Sequence, residues 1–476
     1  MADFLKQWYG LLTLKVTLFA SPVAAAEAEP VSDARPHPHI EFTVERNVRG
    51  ETVSRQSALL PLGATGIPDA IGNGPTVTFA LADVLKDMLR NAVAESDPEE
   101  PLWLHLVKPY GHLGALPWEG LLTELTRHSV LRLPDFLEPP RENKSVLEAA
   151  IICDLDLEEH GSREAFRRAI EAWVGAPYRE DVHVHVFASR LARKAAKHLA
   201  THSRVIFHHP DDMKMGKGAI PDPWQHWVTR AMAGRALDAV HLLCRATLSH
   251  GRSCISLSRP FQRSETAPVA FVYPDELASG LTQTGAWCLV VGGPADGSSD
   301  TALRHFVDAM AQTRPGPALF HCFDPDTIEN EIRPAFRTLF GAERVYPPIF
   351  RRSFLYCQPE LAMPGLKAVP KTEILALHRN TELLEAGLAL AASAAPDALG
   401  HVPNWVAASQ RFAEGVALET ARRSSGDVLM SDPLALGSSG ANSKGVEIVQ
   451  DTVAEIQRIV SEYAREQLSD FGESDG

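Results

Sequence analysis

Residues 239–246 read Ala-Val-His-Leu-Leu-Cys-Arg-Ala, and residues 286–297 read Ala-Trp-Cys-Leu-Val-Val-Gly-Gly-Pro-Ala-Asp-Gly. Each stretch is a short apolar run that ends at a polar or glycine-rich turn, which is typical of a strand buried on both faces. Further apolar runs of this kind lie at 102–107, 149–155, 182–188, 205–208 and 318–323. Because segments with helical spacing separate most of these runs, the sequence predicts an α/β fold with a mostly parallel sheet flanked by helices.

The predicted helices follow from apolar residues at steps of three and four. Within the sheet region we expect helices at 118–127, 162–174, 190–201, 301–312 and 326–340. Before it, Ile40, Phe42 and Val44 alternate with polar residues, and a second run follows at 48–53, which predicts a β-hairpin. A helix is expected next at 77–94. Beyond 345 the sequence predicts a helical region, with helices at 372–395 and 404–423.

Composition limits the classes of function. The chain has 476 residues and a formal net charge of -14, which disfavours general binding of nucleic acid because phosphates require a basic face. No apolar run is long enough to predict a membrane span. Six cysteines in a chain of this length do not predict a disulfide framework, and the absence of a Cys-x-x-Cys pair argues against a structural zinc site. We therefore expect a cytoplasmic location. A cleaved signal peptide at 1–26 is the alternative for the N-terminus.

The turn after the run at 102–107 carries a family resemblance. Residues 109–118 read Pro-Tyr-Gly-His-Leu-Gly-Ala-Leu-Pro-Trp, where the caspase-like CHAT peptidases place a Pro-x-Gly-x-Leu turn and the start of a helix. The chain resembles that family over residues 75–325, and the resemblance implies a caspase-like sheet.

The resemblance also implies where catalytic residues would lie. In the family, the strand that corresponds to residues 239–246 ends at the catalytic histidine, and the strand that corresponds to residues 286–297 ends at the nucleophilic cysteine. Those positions hold Arg245 and Pro294 in this chain. Arginine stays protonated and proline has neither a thiol nor an N–H, so neither residue can do the chemistry. The leading hypothesis is therefore a catalytically degenerate CHAT protein that binds a protein partner or peptide, as a regulator or scaffold in a bacterial peptidase-based signalling or defence assembly.

Two alternatives remain open. The first is an active cysteine endopeptidase with a displaced dyad, for which His250 and Cys288 are the candidates and Cys254 and Cys322 the substitutes. The second is a sensor of a small anion or nucleotide. From residue 286 to residue 312 a predicted strand, a glycine-rich loop and a predicted helix follow one another. Such a junction can bind an anion through the backbone N–H groups of the loop. The binding candidates are Arg245, Gly292, Gly293, Ser298 and Ser299.

No cofactor and no metal are expected. His183 and His185 share one face of a strand, and His208 and His209 lie further along, but no third ligand follows at a recognisable spacing.

These interpretations divide the chain into six segments. They are a leader and linker at 1–37, a hairpin and helix at 38–100, the caspase-like domain at 101–345, a helical region at 346–423, a flexible linker at 424–444 and an amphipathic helix with a tail at 445–476. In the last segment apolar residues from Val446 to Tyr463 alternate at steps of three and four, a heptad pattern that predicts self-association or docking onto a helix.

Overall fold

A computed structural model describes the chain in twelve stretches. They are residues 10–20, 38–48, 51–108, 110–137, 145–158, 161–175, 181–196, 202–210, 223–249, 251–258, 269–341 and 345–363. All of them belong to one unit of the chain, Met1–Leu375. The helices predicted at 372–395 and 404–423, the linker at 424–444 and the heptad segment at 446–463 lie outside the described residues.

The described strands are β1 Leu12–Ala20, β2 Pro38–Val48, β3 Glu51–Pro61, β4 Leu102–Val107, β5 Val130–Arg132, β6 Val146–Cys153, β7 Asp181–Ala188, β8 Val205–His208, β9 Ala239–Leu243, β10 Arg245–Ser249, β11 Arg252–Leu257, β12 Ala270–Val272, β13 Cys288–Gly293, β14 Ala318–Cys322 and β15 Phe354–Tyr356. The described helices are α1 Leu62–Thr65, α2 Asp83–Val93, α3 Trp118–Thr126, α4 Ser162–Val174, α5 Arg190–Ala196, α6 Pro223–Met232, α7 Pro274–Thr284, α8 Asp300–Thr313, α9 Pro325–Thr327, α10 Arg333–Phe340 and α11 Pro359–Ala362. A 3₁₀ turn covers Gly111–Ala115, and a π-type turn at Ile328–Ile332 joins α9 to α10.

Twelve of these strands form one sheet in the order β3-β2-β1-β4-β5-β15-β14-β13-β9-β6-β7-β8. Helices flank this mostly parallel sheet, so the predicted fold class is confirmed. Strands β10, β11 and β12 form a separate antiparallel sheet that the sequence analysis did not predict.

The six strands from β8 to β14 in the sheet run in one direction. Strand β15 is antiparallel to β14 but parallel to β5, which in turn is parallel to β4. The run at 102–107 therefore belongs to the predicted sheet, but its direction is opposite to that of the other six predicted runs.

Two apolar cores lie on opposite faces of the six parallel strands, which explains why the strand sequences are apolar at almost every position. One face packs against α4, α5 and α10, and its core includes Phe166, Trp173 and Phe336. The other face packs against α6, α7 and α8, and its core includes Trp227 and Phe306.

The N-terminal region differs from its prediction in two places. The hairpin of β2 and β3 is present, but β1 lies between β2 and β4 and pairs with both, so the predicted leader contributes a strand to the main sheet. Helix α2 begins at Asp83 rather than at residue 77. Val77 is exposed, so the apolar side chains before Asp83 do not continue one buried helical face.

None of the described helices combines the length and the apolar character that a membrane span requires.

Candidate functional site

The two stretches that open the sequence analysis form neighbouring parallel strands. β9 pairs with β13 in register, Leu243 opposite Gly292, so both strands end at the same edge of the sheet. Arg245 follows β9 as the first residue of β10, and the loop that follows β13 lies against it. The Arg245 Nη1 donates a hydrogen bond of 3.0 Å to Ser298 Oγ. The structure therefore brings Arg245 together with the predicted glycine-rich loop, and we call this region the carboxyl edge.

The loop itself is built around backbone turns and one carboxylate. Gly293 and Pro294 are buried, whereas Ser298 is exposed. Asp296 Oδ1 accepts a bond of 2.9 Å from the Ser298 N–H. Ser299 is buried and precedes α8, but its side chain forms no capping hydrogen bond with the described residues. The loop thus orients Ser298 toward Arg245 and places Ser299 at the start of the helix.

Cys288 is not at this edge. It is the first residue of β13, about 16 Å along the strand from Gly293, and it is fully buried. His250, its predicted partner, lies outside the described residues. Cys254 lies in β11, where its thiol points to the Thr247 carbonyl oxygen at 3.9 Å.

One thiol does lie at the carboxyl edge. Cys322 ends β14 opposite Gly293, and its Sγ is 3.5 Å from Asp300 Oδ2. Burial, and next the Asp300 carboxylate, raises the pKa of Cys322 to about 12, and burial raises the pKa of Asp300 as well. A thiol with such a pKa is protonated near neutral pH, and the thiolate is the form that attacks a carbonyl.

Arg352 gives the carboxyl edge a second guanidinium. Its Nη1 donates to Asp324 Oδ2 at 2.9 Å, and about half of its side chain is exposed. Arg245 is similarly exposed, at 42 %, and its Nη1 lies 3.9 Å from Asp296 Oδ2. The described side chains at this edge therefore include two partly solvated arginines.

Two histidines are buried just beneath this edge. Trp173 Nε1 donates to His241 Nδ1 at 3.2 Å, His241 Nε2 lies 2.8 Å from His321 Nε2, and His321 Nδ1 lies 2.9 Å from the Cys322 carbonyl oxygen. Because an indole nitrogen can only donate, His241 carries its proton on Nε2 and His321 carries its proton on Nδ1. Burial lowers the pKa of His321 to about 4 and that of His241 well below its ordinary value.

The histidine candidates for a metal site form a different kind of cluster. Glu148 lies between His183 and His185, with contacts of 3.1 and 2.7 Å, and His185 Nδ1 lies 2.9 Å from His208 Nε2. The nitrogens contact one another and the carboxylate rather than a common point. In the described part of the chain no group of three His, Cys, Asp or Glu residues is arranged to hold a metal ion.

A cleft of about 670 Å³ on the flank of α8 was missed by the sequence analysis. Its lining includes Lys108, Tyr110, His112, His305 and Asp308. Three of these residues belong to or adjoin the turn at 109–118, whose sequence predicts a fold but no ligand site. His305 and Asp308 lie three residues apart on α8, a spacing that places two side chains on one helix face and could have identified them.

Comparison of the chain with protein-family models, with curated proteins and with solved structures finds no match. The family resemblance therefore depends on the sequence features alone.

Proposed function

We propose that this chain is a catalytically degenerate caspase-like protein that binds an acidic segment of a partner protein at the carboxyl edge and does not cleave it. The observation that carries the proposal is the contact between Arg245 and Ser298 at the ends of β9 and β13. Arg245 stands where the resemblance implies a base, and Ser298 lies in the loop that contains Pro294, where the resemblance implies a nucleophile.

The charges at the edge favour an acidic partner. Arg245 and Arg352 are each about half exposed, and a guanidinium binds a carboxylate through two parallel hydrogen bonds. The contact of 3.9 Å between Arg245 and Asp296 is longer than a good hydrogen bond, so an incoming carboxylate can compete with Asp296. Ser298 is exposed beside the same guanidinium and adds a hydroxyl donor.

The described thiols argue against peptidase chemistry. Cys322 is at the correct edge, but its pKa of about 12 keeps it protonated, and Cys288 lies at the opposite end of its strand. A role in a peptidase-based signalling or defence assembly, as the resemblance implies, would accordingly be one of recognition.

Binding of a fluorescent peptide tests the proposal. A peptide rich in glutamate should bind the native chain, and the same peptide with glutamine at each glutamate should not. Arg245→Gln should weaken binding by about 10- to 100-fold, the range expected for hydrogen bonds to a charged group. Arg55→Gln is the matched control, since Arg55 is exposed on β3 at the far edge of the sheet.

Three outcomes would contradict the proposal. Equal affinity for both peptides would remove the electrostatic basis of recognition. Hydrolysis of a fluorogenic peptide that is abolished by Cys288→Ala or Cys322→Ala would favour the displaced dyad. Binding of inorganic phosphate or ATP, with no affinity for the acidic peptide, would favour the anion or nucleotide sensor.

A further inference from the structure

The cleft on the flank of α8 contains ring nitrogens that the fold does not use. His112 Nε2 lies 2.7 Å from the Pro68 carbonyl oxygen, and His305 Nδ1 lies 2.9 Å from Ser253 Oγ. Within the described residues, His112 Nδ1 and His305 Nε2 have no hydrogen-bond partner, and neither atom is among the fully buried ones. Each ring is therefore held by one nitrogen, and both residues line the cleft.

Both rings line the same cleft. Burial lowers the pKa of His305, the Asp308 carboxylate opposes that effect, and the nearby imidazole of His112 lowers the pKa further. Repulsion between two imidazolium ions is relieved when an anion lies between them. An anion is accordingly the ligand that gains most from this arrangement.

The other charged groups around the cleft are consistent with an anion. Lys108 lines it and lies 2.9 Å from Asp135, which orients its ammonium group. The carboxyl of Asp308 is already engaged, because it accepts hydrogen bonds from Tyr110 and Tyr356 through Oδ1 and from Gln312 through Oδ2. Asp69 is exposed at the rim. Asp308 therefore holds the phenol of Tyr110 in place and is not itself open to a ligand.

The volume and the walls indicate a small organic molecule. A cleft of about 670 Å³ lies within the range of small-molecule sites, roughly 300–1,000 Å³. Ile71, Leu248 and Ala309 supply apolar wall next to the polar groups. Such a combination suits a ligand with a compact apolar body and one charged group.

We propose that this cleft binds a small organic anion with a phosphate or carboxylate group, held by His112, His305 and Lys108. The ligand and the site differ from those of the proposed function, which concerns the carboxyl edge. Binding takes up protons, because burial lowers the pKa of His305 and a bound anion favours its imidazolium form. The titratable groups that face His305 are His112 and Asp308, with Lys108, Tyr110 and Asp69 around the rest of the cleft.

Calorimetry on the full chain with phenyl phosphate and with benzoate tests this site, and benzyl alcohol serves as the neutral probe. At least one of the two anions should bind more tightly at pH 6 than at pH 7.5, by up to about tenfold per pH unit for each imidazole protonated. Titrations in two buffers with different enthalpies of ionisation should reveal net proton uptake. Phenyl phosphate and benzoate together decide which of the two acidic groups is preferred.

Three variants keep the local hydrogen bonds while they remove the contacts to the anion. His112→Gln retains an amide near the position of Nε2, His305→Asn retains one near Nδ1, and Lys108→Met keeps the apolar stem. Each should weaken anion binding by about 10-fold or more. His226→Gln on the exposed face of α6 is the control and should bind normally.

The proposal is overturned if neither anion binds, if benzyl alcohol binds as tightly as the anions, or if binding takes up no proton. It is also overturned if the three variants bind like the native chain. A variant that fails to fold, as judged by its circular dichroism, is set aside, and the remaining two decide.

Discussion

Two pairs of histidines in this chain differ in how their ring nitrogens are used. Beneath the carboxyl edge, every ring nitrogen of His241 and His321 has a partner, in a chain that begins at Trp173 and ends at the Cys322 carbonyl. In the cleft beside α8, His112 and His305 each use one nitrogen to hold the ring, and the other nitrogen has no hydrogen-bond partner among the described residues. The first pair is fully buried, whereas both rings of the second pair are partly exposed.

The difference separates structural from functional polar groups. Burial of a polar group costs little free energy when all its hydrogen bonds are made. A polar group beside a cavity that has a hydrogen-bonding atom without a partner can bind a ligand. His241 and His321 therefore link β9 to β14 across β13. His112 and His305 are instead candidates for binding a ligand in the cleft.

A second group of buried, hydrogen-bonded side chains carries the largest expected effect on the free energy of unfolding. Glu119 accepts a hydrogen bond from Arg132 Nε at 2.6 Å and another from Arg304 Nη2 at 2.7 Å, and all three side chains are buried. Glu119→Gln replaces one acceptor with an amide that faces an arginine, and it leaves two buried arginines with one nearby carboxylate, Asp308. We expect a loss of about 3–5 kcal/mol in the free energy of unfolding, measured with urea.

The exposed Glu124 on the same helix provides the control for this substitution. Glu124→Gln should change the free energy of unfolding by less than about 0.5 kcal/mol. Similar losses in the two variants would show that the buried ion cluster is not what distinguishes the two positions.

The buried histidines predict an acid-sensitive stability. The pKa of His321 is lowered to about 4 in the folded chain, below the ordinary value near 6.5. The unfolded state therefore binds more protons between these values, and stability present above pH 6.5 is lost as the pH falls toward 4. The contribution of His321 to this loss is about 3 kcal/mol.

A comparison of the native chain with His321→Gln isolates that contribution. The difference in free energy of unfolding between the two should shrink by about 3 kcal/mol from pH 6.5 to pH 4, because only the native chain has the imidazole. His226→Gln, in which an exposed ring is removed, should show a nearly constant difference. A constant difference for His321→Gln as well would mean that the ring is not held neutral.

The sequence was sufficient to predict the central strands because each is a continuous apolar run. The predicted bounds at 102–107 and 205–208 agree with β4 and β8, and the run at 286–291 is β13 displaced by two residues. Strand direction was not predictable from these runs. β4 runs against its predicted neighbours because β15, a three-residue strand after residue 345, reverses the direction between β14 and β5.

The candidate site was predicted only in part, for a physical reason. Arg245 and Ser298 are near strand ends, and parallel strands bring their ends together, so their contact follows from the fold. The cleft is assembled from the segment 69–71, the turn after β4, β10 and α8, which are distant in sequence. Such a meeting depends on tertiary packing that no local pattern encodes.

A substitution at Gly292 in β13 tests how tightly the pair of His241 and His321 is packed. A Cβ at Gly292 would lie 2.7 Å from the His321 ring and 2.7 Å from a methyl group of Leu243. Gly292→Ala should therefore cost about 1–3 kcal/mol through overpacking. Gly72→Ala, where a Cβ would meet nothing within 4 Å, should be close to neutral in the same urea titration. A neutral result at Gly292 would indicate that the two rings can separate without loss of stability.

The smallest expected effect concerns the pKa of His305, which lies with His112 in the cleft. The imidazole of His112 contributes to the lowered pKa of His305, after burial and against the opposing effect of Asp308. His112→Gln removes the imidazole that lowers the pKa of His305 but places an amide near the Pro68 carbonyl. The pKa of His305, followed by NMR through its ring proton, should rise in this variant and remain unchanged in His226→Gln. A pKa that stays constant or falls would mean that the two rings do not share one electrostatic environment, and the cleft would then lose the feature that favours an anion.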